Sequence, residues 1–539
     1  MNKLLKRLQQ LDIGQLEKMA GETIVRAVQS AYDTNREKAL AKLVVDRFGS
    51  DIFKEKQIRK SLVQSLNPRE AIALADEWGK KFKDEFKAYS YLEDYFSKSY
   101  NRAKVESFVD FLGISRDFLP QVIEDSRVES EYVEAKFGEQ LISKGVLHPY
   151  QRQIKDASID LLENGTRKFI IQMPTGAGKT VTALEIIVDK LRNTEGDGLV
   201  VWMVDSTELA EQTLQAFKSL WKLRGDRGVN LYRYFGKFTP NFATSNGIVF
   251  ASFVKANESL VSSKEEAKEN LKALCRKTSL VIVDEAHTSV AETYDAVIRN
   301  LISMDAPLIG LTATPGRPDP IETKELTRMY GGKLVTIKTS FSTKQDAPKA
   351  IIDYLVQEGY LAAIKYEELE TGVSVEGGDE EIICKKLAEN GSRNMQIVSQ
   401  IERAVKDGES TIVFSCTRDH VFALVALCRA RNLDVDYIVG ETAQSKRIEI
   451  LDRFKKKELL ILINHEILST GVDVPNINKL ILTRPVGSPI LYSQMIGRAL
   501  RGPKNGGNSA NTIVNIRDNL SQFPTAAFVY ESFTINFKI

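Results

Sequence analysis

Apolar residues along this chain fall into two textures, and the change comes near residue 145. Before it, apolar positions recur three and four apart, the spacing of one helix face. Leu4, Leu8 and Leu11 give the first such stripe, and Phe82, Phe86, Tyr89, Leu92, Phe96 and Tyr100 give the longest. Asn67-Pro68 ends one helical run and starts another, because proline suits a first helical turn. Residues 117–139 lean acidic and read as the approach to a linker. After residue 145, short apolar runs alternate with helical stretches, the pattern of doubly wound α/β domains. The runs at 169–171, 199–204, 247–252, 280–283 and 308–311 predict strands of one unit. Those at 360–369, 411–414, 435–439, 459–463, 479–483 and 512–516 predict a second, starting near Ser342. Helices are predicted over 381–406 and 489–500, with an acidic surface loop at 371–380 and a Gly/Asn loop at 501–511. The expected architecture is α/β: parallel-sheet domains at 145–341 and 342–539, preceded by an all-helical domain at 1–140.

Charge and composition narrow the partners. The 539 residues carry a formal net charge of only +2, so a polyanion would have to meet a local groove rather than a basic field. Cys275, Cys384, Cys416 and Cys428 share no metal-ligand spacing and suit a reducing compartment. No stretch approaches the ~18 apolar residues of a membrane span, and the first helix is amphipathic rather than a signal core. A cytoplasmic protein is expected. The aromatic stripe at 82–100, beside Lys80, Lys81, Lys83 and Lys87, reads either as a base-stacking platform or as a core-facing stripe. Helix packing requires that spacing, which favours the core.

Candidate chemistry starts at residues 167–180, RKFIIQMPTGAGKT. An apolar strand runs into a glycine-bearing loop and then a helix. Gly176 and Gly178 let backbone N–H groups converge on one anion, and the helix turns its positive end toward it. Lys179 can sit on β/γ-phosphates and the Thr180 hydroxyl can ligate Mg²⁺. Met173 stands where the general phosphate-loop pattern has glycine. A second apolar strand delivers Asp284-Glu285 at its carboxyl end, where open parallel sheets place ligands. One carboxylate can hold Mg²⁺ and its neighbour can orient or deprotonate a water.

In order, the chain carries LHPYQ (147–151), PTGAGKT (174–180), STELAEQ (206–212), DEAH (284–287), TATP (312–315), VFS (413–415), STGVD (469–473) and QMIGRALR (494–501). This set resembles superfamily 2 helicases and translocases of the DEAD/DEAH-box kind, most closely the restriction-type branch with the motor subunits of type I and type III restriction enzymes. The resemblance covers about 145–520 and implies two RecA-like lobes with ATP and Mg²⁺ between them. It implies that Pro174, Thr175, Gly176, Ala177, Gly178, Lys179 and Thr180 cradle the phosphates, with Thr180 and Asp284 on the metal and Glu285 on the water. It assigns Arg498 and Arg501, three apart on one predicted helical face, as arginine fingers, and Gln494 as a contact to phosphate or water. Gly471 and Asp473 match a nucleotide-sensing loop. Gln151 matches an adenine-reading glutamine, with Tyr150 or Arg152 as base-stacking candidates. His287 and the threonines Thr312 and Thr314 match couplers of hydrolysis to lobe motion. Thr207, Ser252, Thr417 and Thr470 match backbone grips on a nucleic-acid strand, although each can equally be a helix cap or turn hydroxyl.

The implied activity is ATP-driven unwinding or translocation, with DNA favoured over RNA. A defence or repair role follows from the branch, with a nuclease partner on another chain and the helical domain as its contact. An ATP-gated sensor that clamps its ligand and recruits a partner, and an RNA helicase, are the other readings.

Overall fold

The computed structural model describes residues 3–28, 36–98, 100–119, 127–135, 147–193, 198–242, 246–317, 319–338, 347–375, 377–468, 476–485, 489–497 and 499–519. The first sheet contains β1 (Ser130–Val133), β2 (Lys168–Gln172), β3 (Leu199–Val204), β4 (Val229–Tyr234), β5 (Gly247–Ser252), β6 (Thr278–Asp284), β7 (Leu308–Thr312) and β8 (Leu334–Thr336). Their order is β1-β4-β5-β3-β6-β7-β2-β8, and only β1 runs antiparallel to its neighbour. The second contains β9 (Ala363–Ser374), β10 (Thr411–Phe414), β11 (Val435–Ile438), β12 (Ile461–Asn464), β13 (Lys479–Leu482) and β14 (Ala510–Asn519). It is all parallel, in the order β11-β12-β10-β13-β14-β9.

Both sheets are covered on two faces, which is why their central strands read as unbroken apolar runs. In β3, Val200, Trp202 and Val204 point into a core shared with helices Lys179–Asn193 and Thr207–Arg224. Val201 and Met203 point the other way, against helices Phe253–Leu260, Glu265–Lys277 and Glu292–Leu301. Parallel strands put the carboxyl ends of β2, β3, β5, β6 and β7 on one edge, and the predicted site residues of this lobe sit there.

The helical region does not stand apart. Its residues form one continuous core with the second lobe, joining Ile24, Ala27, Leu40 and Val44 to Val421, Val425 and Cys428 of helix Arg418–Ala430. Polar contacts seal the seam: Arg429 meets Asp46 at 2.6 Å, the Tyr437 hydroxyl donates to the Asp46 carbonyl at 2.8 Å, and Thr23 donates to Glu389 at 3.0 Å. Most of the aromatic stripe faces inward, with Leu92 and Phe96 buried and Phe96 packed edge-on against Trp78. Phe86 and Tyr100 depart from it, at 77% and 39% exposed.

Several local expectations change. Ser130–Val133, in the stretch read as linker, is an edge strand of the first sheet, held by Glu131 against Arg233 at 2.8 Å. β9 continues through residues 371–374, where a loop was expected, because Thr371 bonds Asp518 at the end of β14. The helical run 381–406 is two helices, broken at Asn390, whose side chain caps the second through the Arg393 N–H. The helix predicted over 489–500 ends at Ile496. Gly497 and Ala499 lie in turns, and Arg501 pairs with Leu361 as an extended bridge. A shared helical face with Arg498 is therefore not the geometry at Arg501, and Arg498 itself lies outside the described residues.

Candidate nucleotide cleft between the lobes

Residues 174–178 turn tightly between β2 and helix Lys179–Asn193, with Gly176 and Gly178 both at φ +83°. That left-handed backbone favours glycine and turns N–H groups inward. Packing holds the loop from behind. The Ala177 carbonyl accepts hydrogen bonds from the Tyr150 hydroxyl (2.9 Å) and from Gln151 Nε2 (3.1 Å). Gln151 Oε1 accepts from the His148 N–H at 2.9 Å. A Cβ at Gly178 would lie 2.3 Å from Gln151 Nε2, so glycine is required for contact as well as for φ. Met173 is fully buried and its N–H donates to the Thr312 carbonyl of β7 at 3.2 Å. The departure from the general loop pattern is thus a core side chain beneath the loop. Gln151, expected to read a base, is buried with its amide nitrogen on the loop and its amide oxygen on the His148 N–H.

Asp284 closes β6 and is buried. Burial raises its pKa, the adjacent Glu285 charge adds to the rise, and the Lys179 ammonium opposes it. Glu285 sits at φ 50°, ψ 51°, a conformation uncommon for a residue with a side chain. Its N–H donates to Asp284 Oδ1 at 3.0 Å, and its carboxylate lies 3.4 Å from His287 Nδ1. His287 Nδ1 is also 3.1 Å from Thr312 Oγ1, which bridges to the backbone of Thr314. Arg317 donates to the His287 carbonyl at 3.2 Å. Burial lowers the His287 pKa, and the Glu285 charge partly restores it. A neutral imidazole linking Glu285 to Thr312 fits the coupling position. Among the described residues no three-residue His/Cys/Asp/Glu cluster suits a metal held by protein alone. A Mg²⁺ shared with phosphate oxygens needs fewer protein ligands, and the Asp284 carboxylate and Thr180 hydroxyl fit that smaller set.

The second lobe meets this loop directly. Helix Pro489–Ile496 places Ser493 Oγ 3.3 Å from Thr175 Oγ1. A Cβ on Gly497 would lie 1.9 Å from Thr175 Cγ2, so only glycine admits this approach. Gly176 faces Leu361, Leu500 and the Gly497 carbonyl. Gln494 is half-buried on the same helix, and Arg501 follows Leu500. Tyr360 of the second lobe packs on His148 and Tyr150 at 4.5 and 4.9 Å, and His148 Nε2 lies 2.9 Å from Asn505 Oδ1. Spacing along the chain gave no sign of Ser493, Tyr360 or Asn505. Thr470, Gly471 and Asp473 lie outside the described residues.

The three described strand-grip candidates, Thr207, Ser252 and Thr417, sit at helix N-termini. Ser252 and Thr417 cap their helices, accepting from the Lys255 and His420 N–H groups at 3.3 and 3.1 Å. Ser206 caps the helix at 207, and Thr207 beside it bonds Glu208 at 3.1 Å. One carboxylate at this edge was missed. Asp205 ends the run that begins in β3 and is held by Tyr294. The signal was available, since it follows a buried strand as Asp284 does.

Two parallel-sheet lobes, one carrying a phosphate-binding loop and a paired carboxylate and the other a helix that faces them, define a two-lobed P-loop fold. The family described as "Type III restriction enzyme, res subunit" matches residues 144–317, and "Helicase conserved C-terminal domain" matches 393–503. The chain belongs to the superfamily 2 helicases and translocases, in their restriction-type branch. Among curated relatives, the putative ATP-dependent helicase IRC3 of Saccharomyces cerevisiae is 28% identical over 67% of this chain and 50% of its own length. This chain thus spans about half of that relative. The DNA 3'-5' translocase XPB2 of Sulfurisphaera tokodaii is 26% identical over 78% of this chain and 90% of its own. Among solved structures, the DUF1998 helicase MrfA bound to DNA shares the fold, with a TM-score of 0.51, 14% identity, and coverage of 72% of this chain and 54% of that one. Among the described residues no helix is long and apolar enough to cross a membrane.

Proposed function

We propose that this chain hydrolyses ATP in the cleft and uses the lobe movement to step along DNA as a helicase or translocase. The observation that carries this reading is the contact of Gly497 and Ser493 with Thr175. It puts the helix that leads to the finger candidates against the phosphate loop, across the lobe boundary. Bound between the lobes, ATP with Mg²⁺ would supply the scissile phosphate and its counter-charge. Lys179 and loop N–H groups such as those of Gly176 and Gly178 hold phosphate oxygens, and Thr180 and Asp284 suit the metal. Glu285, held by His287, orients the attacking water. Arg498 and Arg501 bring positive charge from the other lobe, and Gln494 takes the contact beside them. Gly471 and Asp473 follow the nucleotide state, and Gln151 lines the base side. Thr207, Ser252, Thr417 and Thr470 grip the sugar–phosphate backbone, reading no bases.

DNA is favoured over RNA by the likeness to restriction-type proteins and to a relative named as a DNA translocase. The same likeness supports a defence or repair complex with a nuclease partner. The four cysteines are free and buried, which supports a reducing, cytoplasmic setting. A sensor that clamps and recruits draws on the helical region's shared core with the second lobe, which offers a partner a rigid platform.

The test is ATPase turnover with single-stranded DNA, duplex DNA and RNA at low and high salt. DNA should stimulate most, and stimulation should fall steeply with salt. Lys179→Ala and Glu285→Gln should each lower stimulated kcat by at least ~100-fold. Full turnover in either variant, or no stimulation by any nucleic acid, would overturn the reading. Displacement of a triplex-forming strand separates stepping from clamping.

A further inference from the structure

Asp205 has no part in the chemistry assigned so far, yet its surroundings link the two functions of the first lobe. β3 and β6 are parallel neighbours in register at Met203 and Val283. The residues that follow bring Asp205 beside Asp284 and Glu285, and the Glu285 charge is felt at Asp205. Asp205 Oδ1 is enclosed with no hydrogen-bond partner among the described residues, while the nearby Tyr294 hydroxyl favours the charged carboxylate. The Tyr294 ring in turn stacks flat on Phe253, with centroids 4.0 Å apart and planes within 5°. Phe253 opens the helix that Ser252 caps, and Asp205 directly precedes the Ser206 cap and Thr207. Two helix N-termini that suit a sugar–phosphate strand thus reach the catalytic carboxylate through one aspartate and one tyrosine.

We propose that Asp205 is a positioning residue that transmits strand occupancy at Ser206-Thr207 and Ser252-Phe253 to Glu285, through the neighbouring Tyr294 hydroxyl and the Tyr294–Phe253 stack. This rests on the reading that a nucleic-acid strand crosses those two turns. Phosphates drawn onto the N-termini move Phe253 and the 205–207 turn together. Tyr294 keeps them in step, and the Asp205 carboxylate, pressed against Glu285 by like charge, sets where Glu285 can point. Glu285 is sensitive to such pressure because its backbone already occupies a sparsely populated region. The route is separate from the His287–Thr312 link on the other side of Glu285.

The experiment uses the full chain with a single-stranded oligothymidylate. It measures ATPase kcat and KM with and without the oligonucleotide, and oligonucleotide Kd by fluorescence anisotropy. Asp205→Asn keeps the shape and removes the charge, and Tyr294→Phe keeps the stack and removes the hydroxyl. Each should lower the ratio of stimulated to unstimulated kcat by ~10-fold, with ATP KM and oligonucleotide Kd within about twofold of wild type. The double variant should lose no more than either single one, because both act on one connection. Wild-type ratios in both single variants would overturn the proposal. So would losses that multiply in the double variant, or equal falls in stimulated and unstimulated rates, the mark of a merely structural role. A wild-type enzyme that oligothymidylate does not stimulate would overturn it together with the motor reading. Stimulated wild type with indifferent variants would overturn the relay alone.

Discussion

The two lobes repeat one architecture but present unlike surfaces to the nucleotide. In the first, the phosphate loop and the paired carboxylates follow strand ends, and bonds within that lobe hold the site: Tyr150 and Gln151 on Ala177, Glu285 on Asp284, His287 on Thr312. In the second, the facing surface is a two-turn helix and the turns after it. Tyr492, Met495 and Ile496 root the helix in its own core, but Ser493 and Gly497 find their partner, Thr175, across the gap. The first lobe is therefore a finished cradle, and the second completes the site only when the lobes meet. That division suits the proposed motor, in which the second lobe would move without carrying any part of the phosphate grip.

The sharpest way to break this contrast is at Gly497. Gly497→Ala puts a methyl group where Thr175 Cγ2 lies, 1.9 Å away. Stimulated kcat should fall by at least ~10-fold, since small misplacements of catalytic groups cost about that much or more. Thermal unfolding should barely move, because the clash lies between lobes rather than inside one. Adding Thr175→Ser removes Cγ2 and should restore part of the rate. A Gly497→Ala enzyme with full turnover would show that closure does not need this contact.

A second probe asks what the second lobe gains from the helical region. Arg429→Ala leaves Asp46 without its 2.6 Å partner in a largely buried seam. Unfolding free energy should drop by ~1–3 kcal/mol at neutral pH, read from denaturant midpoints. Burial already holds the Asp46 carboxyl above its ordinary range, with Arg429 opposing. Its charged form is therefore the disfavoured one, and the deficit should shrink as pH falls through that raised range and the carboxyl is neutralised. A deficit that grew in acid would refute the assignment.

The smallest effect lies within the helical region itself. The hydrogen bond from Arg7 lowers the Glu70 pKa, with burial opposing it. A depressed carboxylate pKa adds stability above the ordinary Glu range, and that stability is lost as pH falls through the folded value. Arg7→Ala should cost about 0.5–1 kcal/mol at neutral pH and less once Glu70 is protonated, when the bond from Arg7 to the Ser65 carbonyl is what remains to lose. The same cost at all pH values would mean the packing of Arg7 matters and its charge does not.

Strand-end chemistry was the most legible part of the chain. The run before Lys179 and the run before Asp284 are apolar throughout, so both the strand and its exit could be read. β1 could not: Ser130-Glu131-Tyr132-Val133 is short and its exposure alternates, and only Arg233 and β4 make it a strand. The end of the helix at Ile496 was hidden because local apolar spacing continues through Ala499 and Leu500. What stops it is the fit of Gly497 to the other lobe. The seam between Asp46 and Arg429 joins positions far apart in sequence, and neither side shows a local sign of it. Thr417 and Ser252 were ambiguous for a physical reason, since one hydroxyl can cap a helix and still lie where a phosphate would approach.

The path of the backbone has one more implication. The chain leaves the helical bundle, which is fused to the second lobe, at Leu119 and enters the first sheet at β1. It reaches the second sheet only at β9, after helix Ala347–Gln357, whose Ile351 and Leu355 still pack in the first lobe's core. The lobes are thus yoked twice: once by the peptide that enters β9 after that helix, and once by the bundle, anchored by a shared core at one end and by covalent chain at the other. A cut between 357 and 363 would still leave the halves joined, like a hinge with two pins.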